Sequence, residues 1–117
     1  MYKVTTIYSD SVGESHFGEK EIPVVDAGDI GMLSKTLDAT GIIFRETAGD
    51  YHFPWHNTPR RQYVIILSGK VDFTVSSGET RRFKDGDVVL LEDTEGKGHY
   101  SKAVDGEPRK SIFVTLD

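Results

Sequence analysis

The sequence predicts an all-β domain, built as a small barrel or sandwich, and two features of the chain indicate it. Short runs rich in Val, Ile, Thr, Tyr and Phe alternate with turn residues about every eight to twelve positions, which is typical of such folds. No stretch of useful length repeats apolar residues at the period of an amphipathic helix. We therefore expect roughly nine to eleven short strands around one hydrophobic core.

The first half of the chain contains four predicted strands and one weak helical signal. Pro23 lies inside the second predicted strand, which suits a sheet edge because proline cannot donate a hydrogen bond to a neighbouring strand. Residues 29–37 are the only place where a helical turn is expected. The predicted strands of this half are residues 3–8, 16–25, 41–47 and 51–56.

The second half contains six predicted strands, separated by turns rich in Gly, Asp and Ser. Its strongest strand, residues 62–68, is apolar on both faces, so we expect it to be covered twice. The second cover is either the N-terminal strands or a partner subunit, and we expect a homodimer. The predicted strands of this half are residues 62–68, 71–76, 79–83, 88–92, 97–104 and 109–116.

Composition narrows the class of protein. A chain of 117 residues is expected to fold as a single domain over residues 1–117. The net charge of −5 argues against nucleic-acid binding, and the absence of cysteine excludes disulfides and thiolate chemistry. No signal peptide is visible at the N-terminus, and the longest apolar run, residues 63–67, is too short to cross a membrane. We expect a cytoplasmic protein without a membrane partner.

Two segments resemble the motifs of the cupin superfamily, whose members are small jelly-roll β-barrels. Residues 49–69 match the spacing of the first cupin motif from its opening to its closing glycine, and residues 86–99 resemble the second. The sequences WHNTPRRQYVIILSG at 55–69 and TEGKGH at 94–99 resemble a group of short cupins in particular. The resemblance covers about half of the chain and implies a jelly-roll barrel around a ligand cavity.

The ligand positions of the first motif depart from the cupin pattern. The spacing from Gly49 places Trp55, Asn57 and Gln62 where the motif has two histidines and a glutamate. His56 lies one residue out of register, and a shift by one residue moves a strand side chain to the opposite face.

Two alternatives follow. In the first, the counted register holds, Trp55 faces the cavity and His56 points outward, so that the cupin has no metal site. In the second, a bulge after His56 absorbs the extra residue, and His52, Pro54 and His56 face the cavity. Tyr51, Phe53 and Trp55 then pack behind the strand. We prefer the second alternative because it gives the three aromatic residues a common buried face.

The resemblance implies a metal-ligand set of His56, Gln62 and His99, the last in the position of the third cupin histidine. Imidazoles suit a divalent ion such as Zn, Ni, Mn or Fe, whereas the amide of Gln62 is a weaker ligand than a carboxylate. The alternative for each histidine is a hydrogen-bonded core residue.

His52, Arg60 and Arg61 are the candidate substrate-binding residues. The arginine pair is expected at the mouth of the barrel, where guanidinium groups can hold a carboxylate or phosphate. The alternative is a solvated loop.

These residues predict a small-molecule ligand inside the barrel and leave two classes of function open. The first is a divalent-metal-dependent isomerase, cyclase or lyase acting on a small oxygenated substrate. The second is a non-catalytic ligand-binding or sensing module without metal.

Overall fold

The computed structural model describes residues 1–117, and it is an all-β structure, as the sequence predicts. The helical signal at residues 29–37 is reduced to a 3₁₀ turn at Gly28–Ile30 followed by a two-residue strand. The strands are β1 (Tyr2–Ser9), β2 (Ser15–Ile22), β3 (Val25–Asp26), β4 (Met32–Leu33), β5 (Gly41–Thr47), β6 (His52–His56), β7 (Gln62–Ser68), β8 (Val71–Val75), β9 (Thr80–Phe83), β10 (Val88–Leu91), β11 (His99–Ala103) and β12 (Arg109–Thr115). No helix has the length and apolar content that a membrane span requires.

Two sheets make up the body of the molecule. The larger has the order β2-β1-β10-β7-β12-β5 and the smaller the order β6-β11-β8-β9, while β3 and β4 form a separate short hairpin. The strand pairs define two sheets and do not define a closed barrel. The edges of the two sheets meet at Ser15 and Ser76, where the backbone N–H of each residue donates to the hydroxyl oxygen of the other.

The hydrophobic core lies between the two sheets. Apolar side chains from both sheets alternate along their strands, so that every second residue points inward. Ile66 and Val75 are fully buried there. The core cluster consists of Ile7, Val64, Ile66, Val71, Phe73, Val75, Phe83, Val89 and Leu91.

The doubly apolar strand β7 is covered on one face only. The N-terminal strands lie in the same sheet as β7, so the alternative in which they cover its second face is wrong. That outer face continues across β12 and β5, where cross-strand pairs form two apolar rows. The rows are Phe44–Ile112–Ile65 and Ile42–Val114–Tyr63. Phe44 is 76% exposed and Ile42 is 58% exposed.

The homodimer stays a prediction, and this outer apolar face is where we expect the second copy. A self-complementary apolar sheet face is typical of a two-fold interface. Light scattering at micromolar concentration should give a mass of about 26 kDa, twice the 13.0 kDa of one chain. Phe44→Lys should shift the mass to that of one chain, because it places a charge on the apolar face where the two copies are expected to meet. A control, Val12→Lys, changes a loop residue that is 80% exposed and should leave the mass unchanged. A wild-type mass near 13 kDa would refute the dimer.

Candidate functional site

A cavity of about 380 Å³ opens between the two sheets, and it is in the size range of small-ligand sites. Strands β5, β7 and β12 of the larger sheet form one wall, and β6, β8 and β11 of the smaller sheet form the other. The lining residues are Ile43, Arg45, Tyr51, Phe53, His56, Thr58, Pro59, Arg60, Gln62, Val64, Phe73, Leu91, His99, Ser101, Arg109 and Phe113.

A bulge in β6 orients His56 toward this cavity. His56 pairs with His99 and Phe53 pairs with Ser101, so three steps along β6 face two steps along β11. The extra residue is accommodated at Pro54-Trp55, where proline lacks the N–H that a regular ladder needs. Phe53 and His56 therefore share the inward face although they are three residues apart.

The predicted orientations on β6 are confirmed in part. His56 faces the cavity, while Trp55 lies outside it, half exposed and packed edge-on against Tyr100. The counted register, with Trp55 inside, is therefore wrong. The bulge, however, precedes His56 and does not follow it.

Four further predicted orientations are wrong for that reason, and one of them is that of Pro54, which is exposed and does not line the cavity. His52 does not face the cavity; it is exposed and stacks on the outer side chain Tyr100 with ring centres 6.3 Å apart. Tyr51 and Phe53 do not pack behind the strand but line the cavity. A bulge placed before His56 keeps residues 51 and 53 on the inner face and residue 52 on the outer one.

His99 and Asp93 form a fully buried pair behind the cavity. The Nδ1 atom of His99 lies 2.5 Å from a carboxylate oxygen of Asp93, and the hydroxyl of Thr58 donates to the other oxygen at 2.8 Å. His99 is 2% exposed and Asp93 is 0% exposed. The carboxylate therefore fixes which ring nitrogen of His99 carries a proton.

His56 is held in the same tautomer as His99, with the proton on Nδ1. Its Nδ1 atom donates to the backbone carbonyl of Pro54 at 2.8 Å, and its ring centre lies 4.5 Å from that of His99. In each neutral imidazole the lone pair is therefore on Nε2. Burial, reinforced by the neighbouring His99, lowers the pKa of His56, so this ring is neutral at pH 7.

The remaining predicted site residues divide between the cavity and the surface. Gln62 is buried and lines the cavity, and Arg60 lies exposed at its mouth. Arg61 is directed elsewhere, because its Nε donates to Glu92 at 3.2 Å and it is not among the lining residues. The structure thus brings His56, Gln62, His99 and Arg60 to one cavity and leaves His52 and Arg61 outside.

Three charged residues of the site were not predicted from the sequence. Arg45 on β5 and Arg109 on β12 face the cavity from the larger sheet, and Asp93 holds His99 from behind. The alternation of side chains along a strand did contain a signal for the two arginines. Arg45 points to the same side of β5 as Ile43, and Arg109 to the same side of β12 as Phe113, and both apolar residues line the cavity.

The two histidines that line the cavity carry donors of the kind that divalent ions bind. The Nε2 atoms of both histidines are free, and metal-binding histidines usually have the other ring nitrogen bonded to a carboxylate or carbonyl, as here. Gln62 adds only a neutral amide oxygen. No group of three His, Cys, Asp or Glu side chains is placed to hold a metal ion.

Comparisons with known proteins show the family and the fold. The family model described as EutQ-like cupin domain matches residues 39–104, which is more than half of the chain. A conserved protein of unknown function from Streptococcus pyogenes has a solved structure that is 24% identical, with a TM-score of 0.53 over 72% of this chain and 69% of that chain.

Two further solved structures show the same likeness. A cupin-like protein from Thermotoga maritima is 23% identical, with a TM-score of 0.54 over 64% of this chain and 55% of that chain. A protein named for ethanolamine utilization, protein Q, from Salmonella typhimurium is 15% identical, with a TM-score of 0.51 over 99% of this chain and 96% of that chain. Identities at this level show a shared fold and carry no statement about activity.

Proposed function

The chain belongs to the family of EutQ-like cupin domains, and we propose that its cavity binds a small oxygenated molecule and exchanges protons with it. The observation that carries this proposal is the histidine pair. Two imidazoles with ring centres 4.5 Å apart line one cavity, and each has its Nδ1 occupied by an acceptor. A neutral ring held in this way presents Nε2 as a proton acceptor.

The two histidines differ in their surroundings, which suits different roles. His56 is neutral at pH 7 because burial lowers its pKa, so it can accept a proton from a carbon or hydroxyl group. His99 has a buried carboxylate behind it, and Asp93 stabilises the positive charge that develops when this ring takes up a proton. A ring that takes a proton from the ligand, beside a second ring that can hold a proton and return it, supports isomerisation, cyclisation or elimination next to a carbonyl group.

The test is exchange of carbon-bound hydrogen in heavy water. Small hydroxy acids, keto acids and their neutral esters are incubated with the protein. Proton NMR then follows the loss of the signal of the hydrogen on the carbon next to the carbonyl group. We expect exchange with at least one compound, and a loss of 100-fold or more in His56→Ala and His99→Ala, the size of a typical acid–base contribution (about 10²–10⁴). His52→Ala changes a histidine on the outer face of the same strand and should exchange like wild type.

The pH profile gives the same test a second readout. Because protonated His56 cannot act as a base, exchange should fall as the pH drops below about 6.5 and through the lowered pKa of this group. Compounds that bind without any exchange would contradict catalysis, and the non-catalytic binding or sensing module would then be the better description.

A metal-dependent form of the site is the second candidate, favoured by the bonded Nδ1 atoms of both histidines. A divalent ion (Zn, Ni, Mn or Fe) would be held by His56, Gln62 and His99. It would supply a Lewis acid for a bound oxygen. Exchange that disappears after treatment with a chelator and returns on addition of one of these ions would favour this candidate. Exchange that persists would favour the histidines alone.

Two finer descriptions belong to this proposal. We infer from the family that the two sheets form the jelly-roll barrel expected of cupins, with the cavity at its centre. A cytoplasmic location stays a prediction from the sequence.

A further inference from the structure

We propose that Arg109 and Arg45 anchor a carboxylate group of the ligand, at a part of the cavity separated from the two histidines by Tyr51 and Phe53. This inference rests on the proposed function only in taking the cavity as a small-molecule site, and it adds the substrate class, a small carboxylic acid.

Arg109 is the first support for the anchor. Its side chain lines the cavity and is only 6% exposed, yet its Nε and Nη1 atoms have no hydrogen-bond partner in the protein. Burial, together with the neighbouring Arg45, lowers the pKa of Arg109. A buried cation without a partner is costly, and an anionic ligand would supply the missing acceptor.

Two hydroxyl groups beside Arg109 lack partners as well. Thr47 on β5 is the direct cross-strand partner of Arg109, and Ser111 lies two residues further along β12 on the same face. Their hydroxyl oxygens are buried and unpaired. All four buried side-chain polar atoms without a partner in the chain belong to these three residues. Such groups are rare in folded proteins and call for an explanation where they cluster.

Arg45 supplies a second cation at the same place. It lies opposite Ser111 on the neighbouring strand, and its guanidinium carbon is 5.1 Å from the centre of the Tyr51 ring, whereas that of Arg109 is 5.7 Å from the same ring. Neither arginine forms a salt bridge, although Arg61, Arg81 and Arg82 all do.

The charge of the cavity wall points to an anion. The lining residues include three arginines and no aspartate or glutamate, in a chain whose net charge is −5. Placing like charges together without a counter-ion costs free energy, so this arrangement favours a ligand that carries the opposite charge.

The shape and polarity of the cavity favour a carboxylate over a phosphate. The planar fork of a guanidinium matches the two oxygens of a carboxylate, and the Nε and Nη1 atoms of Arg109 have no acceptor in the protein. The rest of the wall is largely apolar, with Ile43, Val64 and Phe113 among its residues, and suits a short carbon skeleton. Phe53 lies 4.0 Å from His56 and 6.4 Å from Tyr51, measured between ring centres, so aromatic rings connect the arginine end to the histidine end.

The experiment compares benzoate with its neutral analogue benzamide, using the side-chain Nε–H signals of arginine in ¹⁵N-labelled protein. Benzoate should shift the Arg109 signal with saturation, and benzamide should bind at least tenfold more weakly. Arg109→Gln should weaken benzoate binding tenfold or more, and Arg109→Lys should do so because lysine lacks the fork. The matched control, Arg81→Gln, removes the same charge from an exposed arginine of β9 and should bind like wild type.

Stability separates an anchor from a structural role. Because Arg109 is buried, unpaired and close to another cation, Arg109→Gln should not lower the unfolding midpoint of the ligand-free protein. A lower midpoint with unchanged benzoate affinity would show that the arginine is structural and would overturn the proposal. Inorganic phosphate that binds more tightly than every carboxylate would overturn the assignment to carboxylic acids.

The two proposals can fail separately. Benzoate binding that depends on Arg109, without hydrogen exchange in any carboxylic acid, would support the anchor and contradict the catalytic role of the histidines. Exchange in carboxylic acids that is unaffected by Arg109→Gln would support the role of the histidines and contradict the anchor.

Discussion

Replacing Asp93 by alanine is expected to lower the free energy of unfolding by about 3 kcal/mol or more. The carboxylate is fully buried and accepts from two buried donors, the ring of His99 and the hydroxyl of Thr58. Each of these two buried donors, left without an acceptor, costs about 1–3 kcal/mol. Urea denaturation followed by circular dichroism measures the effect.

Two further variants separate charge from packing at this position. Asp93→Asn keeps the size and one oxygen, so it should be less destabilising than the alanine variant. It should nevertheless reduce hydrogen exchange, because an amide no longer stabilises the positive charge on His99. Asp50→Ala removes an exposed carboxylate in a turn and should change stability by about 0.5 kcal/mol at most. An Asp93→Ala variant as stable as this control would show that the pair contributes nothing to folding.

The strands could be predicted from sequence because their signal is local. Alternation of apolar and polar residues, bounded by turns, gave residues 41–47 and 62–68, and these are the bounds of β5 and β7 in the structure. The sheet order could not be predicted in this way. The parallel pairing of β1 with β10 joins segments more than eighty residues apart, and nothing in either segment specifies its partner.

The bulge in β6 shows how one local irregularity changes a predicted site. The sequence predicted a bulge in this strand, but after His56. The irregularity lies instead at Pro54-Trp55, one position earlier than His56. This shift leaves the orientation of His56 unchanged, whereas it reverses that of His52 and Phe53.

The arginine end of the cavity was harder to predict because it is formed by two strands that contain no family motif. Arg45 and Arg109 are 64 residues apart in the chain and meet only through the pairing of β5 with β12. Charged residues are rarely buried, so a charged residue at an inward position usually means that the strand has been assigned the wrong register. The alternation of side chains by itself therefore did not identify either arginine as a site residue. Asp93 was missed for a related reason, since the sequence Glu-Asp-Thr at 92–94 resembles a solvated turn.

Gly98→Ala is expected to lower the free energy of unfolding by about 3 kcal/mol or more and to separate the strands that carry the two histidines. Gly98 has φ of +72°, and a methyl group added there would overlap the backbone carbonyl of His56 on the neighbouring strand. A left-handed conformation costs an alanine about 1–2 kcal/mol. The overlap adds to this cost because backbone atoms cannot move aside without displacing β6 from β11. We expect the variant to lose hydrogen exchange, since the His56–His99 contact depends on that pairing.

Gly106→Ala is the control that isolates the overlap from the backbone strain. Gly106 has nearly the same φ, +67°, and nothing lies within 4 Å of the added methyl group. The free energy of unfolding of this variant should therefore fall by only about 1–2 kcal/mol, and its hydrogen exchange should equal that of the wild type. Urea denaturation of both variants gives the difference, and the NMR signals of His56 and His99 report whether the ring contact survives. If the two substitutions prove equally costly, β6 does not approach Gly98 as closely as described. The placement of His56 beside His99, on which the proposed proton exchange depends, would then be wrong.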